Sequence, residues 1–128
     1  GGIYLDADWY PVAEAGRGVD SYAPLTGLMV MSERTVRLTG RGAVMLANNL
    51  IGAPRGHPAM TAVLRASERA MQALPHAPAW WVTGPLIFTD VVRDCPLTLL
   101  PDGIAAGDIP PETADPQAVF AAARQAGR

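Results

Sequence analysis

Proline and glycine set the limits on what this chain can fold into. Thirteen glycines and twelve prolines are spread through 128 residues, and each proline fixes φ and removes a backbone donor. Uninterrupted elements are therefore short and loops plentiful. The longest uncharged run, residues 70–89, carries Pro75, Pro78 and Pro85 together with Gln72 and His76. A membrane-spanning helix would not hold three prolines and such polar breaks without support, so no transmembrane segment is expected there. Hydrophobic residues make up 49% and charged residues 17% of the chain. That is enough apolar surface for one small globular domain, residues 1–128, rather than for disorder.

Charge and residue usage remove several classes of function. All ten basic residues are Arg and none is Lys. Schiff-base chemistry, a Walker-type phosphate lysine and a Ser-Lys dyad are thereby excluded. A net charge of −2 lacks the basic excess of a nucleic-acid binder, so no nucleic-acid partner is expected. The single cysteine, Cys95, forms no internal disulfide and no thiolate zinc site, which fits a reducing, cytoplasmic setting. Arg-only basic usage with abundant Ala and Gly suggests a GC-rich bacterial source.

Hydrophobic periodicity divides the chain as follows. Ile3, Leu5 and Ala7 alternate with Tyr4, Asp6 and Asp8, the pattern of a strand over residues 3–8. A strand placed so early looks like the inside of a sheet, and upstream sequence is expected to precede it. Residues 14–26 read as loop, and residues 27–31, 36–38 and 43–47 as short strands, with Gly40-Arg41-Gly42 as a turn. Asn48 and Asn49 are expected to end the third of these. Pro58 to about Leu74 reads as the strongest helix, with Pro58 in its first turn and Met60, Val63, Leu64, Met71 and Leu74 on one stripe. Trp80-Trp81-Val82 reads as a short extended segment, and Leu86–Arg93 as a second helix capped by Thr83. Leu97–Leu100 reads as a strand, residues 101–116 mostly as loop, and Pro116 to about Gln125 as a last helix with Asp115 as its cap. Strands interleaved with helices make the expected class α/β.

The chemistry concentrates at Asp6 and Asp8. Two carboxylates two apart on a strand share a face. They form an oxygen-rich patch of the kind that Mg²⁺ and Mn²⁺ prefer, and Mg²⁺ commonly combines one or two carboxylates with substrate phosphates. At the carboxyl end of a strand in an open α/β sheet, the pair would sit where ligands bind.

Gly1-Gly2-Ile3-Tyr4-Leu5-Asp6-Ala7-Asp8 resembles the DXD segment of a glycosyltransferase family. That family includes the fungal initiating α-1,6-mannosyltransferase and α-1,4-glycosyltransferases, and it is related to the large clostridial glucosylating toxins. Downstream, Asn48-Asn49-Leu50-Ile51-Gly52-Ala53-Pro54-Arg55-Gly56-His57-Pro58 resembles the family's Asn-containing strand and Gly-His-Pro helix start. Thr83-Gly84-Pro85 resembles its Thr-Gly-Pro turn. The likeness covers roughly residues 1–95. It implies a GT-A-like fold, of which this chain matches only the carboxy-terminal half, and transfer of a sugar from a nucleoside-diphosphate sugar with a divalent cation, Mn²⁺ or Mg²⁺, and retention at the anomeric carbon. On the matching positions Asp8 would be the direct metal ligand, and Asp6 would contact the donor and help to hold the metal. Asn49, Thr83 and Gly84 would bind the donor, and the acceptor would be a glycan or a lipid-linked species. The family's nucleotide-binding half before the DXD strand has no counterpart here. After Pro96 there is neither a His nor a Trp, whereas many members carry a late segment with both.

Plainer readings compete at each of these positions. Asn48-Asn49 also suits a backbone-capping turn. His57 is a helix-entry cap before it is a metal or phosphate ligand, and His76 lies in a surface loop. Trp80 and Trp81 would both serve the core, with sugar stacking by one of them as the alternative. Thr83-Gly84 is an ordinary capped turn unless its N–H groups face an anion. Asp90, Arg93 and Asp94 form a solvated face, and Cys95 a half-buried thiol. Two further functions stand beside the transferase. One is a haloacid-dehalogenase-type phosphatase, which also places Asp-x-Asp after a strand but commonly uses a Lys. The other is a non-catalytic transferase remnant acting as a binding or scaffold piece, with self-association through an unpaired sheet edge. Peripheral association with the inner membrane is compatible with polysaccharide assembly.

Overall fold

The computed structural model describes residues 1–9, 27–39, 42–100 and 112–125. It is a mixed α/β arrangement. Strand β1 spans Gly2–Leu5, β2 Leu28–Thr39 and β3 Gly42–Ala53. Helices α1 (Pro58–Ala73), α2 (Ala79–Val82) and α3 (Pro85–Val92) follow, then β4 (Leu97–Leu100) and α4 (Pro116–Gln125). The four strands lie in the order β1-β3-β2-β4. β3 runs antiparallel to both β1 and β2, and β4 is parallel to β2. Among the described residues no helix is long and apolar enough to cross a membrane. The expected loop at 14–26 and most of the one at 101–116 fall outside the described residues, as do Gly40 and Arg41 of the expected turn.

Two short strands expected at 27–31 and 36–38 are one strand, β2. Its ladder to β3 is irregular between Ser32 and Arg37 and resumes with Arg37 opposite Val44, so the strand crosses polar residues that apolar alternation passes over. Likewise β3 does not stop before the asparagines but continues to Ala53. The hairpin is irregular where they sit. Val30 faces Ile51, but the next residue, Met31, faces Ala47. Asn48, Asn49 and Leu50 are therefore surplus to the pairing with β2. Such bulges re-aim side chains and bend the strand. Below the bulge, Gly52 pairs with Met29, and a Cβ there would lie 2.8 Å from the Met29 Cε. The missing side chain seats Met29 and keys the register.

The sheet carries apolar side chains on both faces. On one, Leu28, Val30 and Leu46 pack with Ala59 of α1 and with Phe88 and Val92 of α3. On the other, Met29, Met31, Ala47, Leu50 and Leu100 form a second cluster, joined by Ile3 and Trp9. Phe88, Leu28, Met29 and Leu50 are fully buried, and each such side chain stabilises the fold by about 1.5–3 kcal/mol relative to exposure.

Helix α1 starts as expected. Pro58 occupies its first turn and His57 is the cap, its Nδ1 accepting from the Ala59 N–H at 3.3 Å. The buried face keeps only part of the expected stripe. Ala59 and Ser67 are buried, Met60 and Val63 half-buried, and Leu64, Met71 and Leu74 exposed. α1 packs on α3 and α2, with Ala59 in the first core cluster and Met60 and Val63 packed against it, while Leu64, Met71 and Leu74 project outward. α4 is capped as expected, with Asp115 Oδ1 accepting from Gln117 N at 3.0 Å and Ala118 N at 3.2 Å.

Candidate functional site

The expected strand over residues 3–8 ends at Leu5. The Asp6 N–H still donates to the Asn49 carbonyl at 3.0 Å, but the Asp6 carbonyl accepts from the Trp9 N–H at 3.3 Å and closes a turn. Trp9 supplies the reason, because its ring packs with Ile3 against the second core cluster. The two carboxylates thus do not share a strand face. Asp6 sits at the end of β1, half-buried, and Asp8 within the turn, exposed. Asp is a favoured residue at the first position of such turns.

Gly1 and Gly2 have backbone reasons of their own. A Cβ on Gly1 would lie 2.3 Å from the Arg55 nitrogen, and Gly2 holds φ at +152°. Opposite β1, Tyr4 pairs with Ile51 and Leu5 with Leu50, so Asn49 falls opposite Asp6. Asn49 Oδ1 is buried and has no hydrogen-bond partner among the described residues. Buried oxygens are rarely left so, and each one asks for a ligand or a water.

The Tyr4 hydroxyl donates to Asp6 Oδ1 at 2.6 Å. This contact raises the Tyr4 phenol above its ordinary value of 10.0, because a phenolate would lose the hydrogen bond and meet the charges of Asp6 and Asp8. Alternation alone assigns Tyr4 no role, although residues i and i+2 of a strand face the same way. The Tyr4 ring also lines an open groove of about 630 Å³ between β1, β3 and the amino end of α1, with Asn48, His57 and Thr61. Asp6 and Asp8 lie outside that groove and adjoin it through Tyr4.

Asp6 and Asp8 supply carboxylate oxygens within one turn, the donor type that hard divalent cations prefer. The Asn49 main chain holds Asp6 from the neighbouring strand, and its Oδ1 is buried and unpartnered among the described residues. No group of three or more His, Cys, Asp or Glu able to hold a metal occurs among the described residues. Two carboxylates are the number that Mg²⁺ commonly combines with substrate phosphates and water.

The remaining candidates form a second group at the α2–α3 corner, which packs on α1. Trp80-Trp81-Val82 is a helical turn, not an extended segment. The Pro78 carbonyl accepts from Trp81 N at 2.9 Å and the Ala79 carbonyl from Thr83 N at 2.9 Å. Trp81 is 51% exposed and Trp80 half-buried, so the expectation of two core rings is corrected. Thr83 does not cap α3. Its hydroxyl donates back to the Ala79 carbonyl at 3.0 Å and closes α2, and Gly84 takes the cap position with no side-chain bond. Gly84 is required by packing, because a Cβ there would lie 2.6 Å from the Trp80 carbonyl oxygen. Asp90 and Asp94 flank Arg93 at 3.7 and 3.8 Å on an exposed face, and Cys95 is half-buried beside the first core cluster. His76 is exposed.

No protein family, curated protein or solved structure matches the chain.

Proposed function

We propose that the chain is the carboxy-terminal half of a GT-A-like glycosyltransferase that transfers a sugar from a nucleoside-diphosphate sugar to a glycan or lipid-linked acceptor. The reading is supported by the DXD-like segment together with the turn that presents it. The observation that carries it is the placement of Asp6 and Asp8 in one turn, with Asp6 held to the main chain of Asn49 on the neighbouring strand.

The residues divide the work by position. Asp8, exposed in the turn, would hold Mn²⁺ or Mg²⁺. Asp6 keeps Oδ2 for the cation or the donor while Oδ1 accepts from Tyr4. Asn49, opposite Asp6, would give its amide to a sugar hydroxyl or a donor oxygen. A divalent cation, when bound, neutralises the diphosphate and makes it a better leaving group. Thr83 and Gly84 of the α2–α3 corner would meet the donor from a separate element, and the exposed Trp81 ring offers a stacking face for an acceptor sugar.

The test is a saturation-transfer NMR screen of uridine- and guanosine-diphosphate sugars with Mn²⁺, followed by calorimetry. Binding of one donor should require Mn²⁺ and should disappear in Asp8→Asn. Binding that survives this substitution unchanged rejects the metal assignment. The absence of any donor binding, on this chain and on one extended upstream, favours a non-catalytic role.

A further inference from the structure

We infer that Tyr4 is a positioning residue for Asp6, its hydroxyl holding one carboxylate oxygen so that the other is presented to the ligand in a fixed orientation. The inference rests on the reading of Asp6 and Asp8 as the cation and donor site. Three contacts define how Asp6 is held. Its N–H donates to the Asn49 carbonyl, and its carbonyl accepts from the Trp9 N–H. Both fix the main chain and leave the side-chain torsions free. The bond from the Tyr4 hydroxyl to Oδ1, at 2.6 Å, is the contact that fixes the carboxylate itself among the described residues.

Strand geometry explains why position 4 can do this. Tyr4 and Asp6 are two apart, at the end of β1, and so face the same way. The phenol is long enough to reach forward along the strand to the carboxylate. Tyr4 pairs across the sheet with Ile51, whose side chain packs against the first core cluster. The tyrosine backbone is thus anchored although its side chain is 55% exposed. A phenylalanine in its place keeps the ring and loses only the bond to Asp6. Two effects then oppose each other. Losing the hydroxyl frees a rotor that a bound cation must immobilise again, and it returns a lone pair on Oδ1. The first weakens binding and the second strengthens it. We take the first to win, because a single carboxylate oxygen suffices for one coordination position and Oδ2 already supplies it.

The test uses Mn²⁺ alone, with the free ion counted by electron paramagnetic resonance, on the wild-type chain, Tyr4→Phe, Asp6→Asn and the double variant. Immobilising a rotor of this kind corresponds to roughly a three- to tenfold change in affinity, so Tyr4→Phe should bind Mn²⁺ that much more weakly. It should also melt with the wild type. In the Asp6→Asn background the same substitution should change nothing further, since no carboxylate remains to be held. Unchanged or tighter Mn²⁺ binding by Tyr4→Phe overturns the inference, and so does an equal loss in the Asp6→Asn background. A Tyr4→Phe protein that fails to fold overturns it as well, because the hydroxyl then serves the fold. A wild-type chain that takes up no Mn²⁺ removes the cation site itself, an outcome distinct from a wild type that binds and a Tyr4→Phe variant that binds equally.

Discussion

The Thr89 hydroxyl engages both main-chain groups of Leu46. It accepts from the Leu46 N–H at 3.1 Å and donates to the Leu46 carbonyl at 3.3 Å. Pairing with β1 ends at Leu50, and at Leu46 a side chain of α3 takes the place of a strand partner. Both residues are buried, so water cannot substitute. Thr89→Val keeps the shape and removes both bonds. It should destabilise the chain by about 1–3 kcal/mol, the cost of leaving buried main-chain groups unpaired. Thr89→Ser should retain most of the stability. Urea unfolding of the two variants checks the contrast.

Gly84→Ala should lower stability by about 1–3 kcal/mol, as overpacking does. The added methyl would meet the Trp80 carbonyl oxygen and Cα at 2.6 and 2.8 Å, and backbone cannot swing aside as a flexible side chain does. Thermal unfolding measures the loss. Equal melting of variant and wild type would show that the α2–α3 corner is looser than the contact implies.

Trp81→Ser should change stability by less than about 0.5 kcal/mol, the usual range for exposed positions, because the ring is half exposed and its neighbour Trp80 carries the contact with Gly84. If Trp81 stacks on an acceptor, the same variant should lose saturation transfer from an oligosaccharide while donor binding stays intact.

The phenol of Tyr4 should ionise later than an ordinary tyrosine. Its neutral form is favoured first by the hydrogen bond to Asp6 and then by the Asp6 charge. The sign follows from a folded value raised above the unfolded one. The stabilising contribution is full below about pH 10, the unfolded value, and is lost as pH rises through the raised folded value. Phenolate absorbance of the wild type minus that of Tyr4→Phe isolates this group. In Asp6→Asn the transition should fall back toward the ordinary value.

Asp115→Ala should cost about 0.5–2 kcal/mol of helix stability by removing the cap of α4. Asp115 Oδ1 serves two first-turn N–H groups, those of Gln117 and Ala118. Because Ala123 is the buried residue of this helix, the loss should appear as faster amide exchange within residues 116–125 rather than as a lower global midpoint.

What could be read from the sequence follows the reach of each signal. Pro58, Pro116 and Asp115 act within one helical turn, and α1 and α4 begin where those residues place them. Leu97–Leu100, bounded by Pro96 and by Pro101, is a strand as its composition requires. Properties set by tertiary partners were not legible. Which side of α1 is buried depends on how closely α3 approaches, and Ala59 and Ser67 won that contact over Leu64 and Met71. The end of β1 depends on where Trp9 finds its core, so strand alternation ran three residues too far. At the site, Asp6 and Asp8 were legible as a pair. Asn49 was legible only through the resemblance, and its place in a bulge opposite Asp6 depends on the pairing of β3 with two strands at once.

The three residues that β3 carries in excess at the bulge are matched farther along the hairpin. Between Ser32 and Arg37 the excess falls on β2, and Arg37 with Val44, Leu38 with Ala43 and Thr39 with Gly42 resume the count set by Met29 over Gly52. The offset is confined to Met31 and Ser32 with their partners, so a residue gained in one strand alone would throw the two ends of the ribbon out of step.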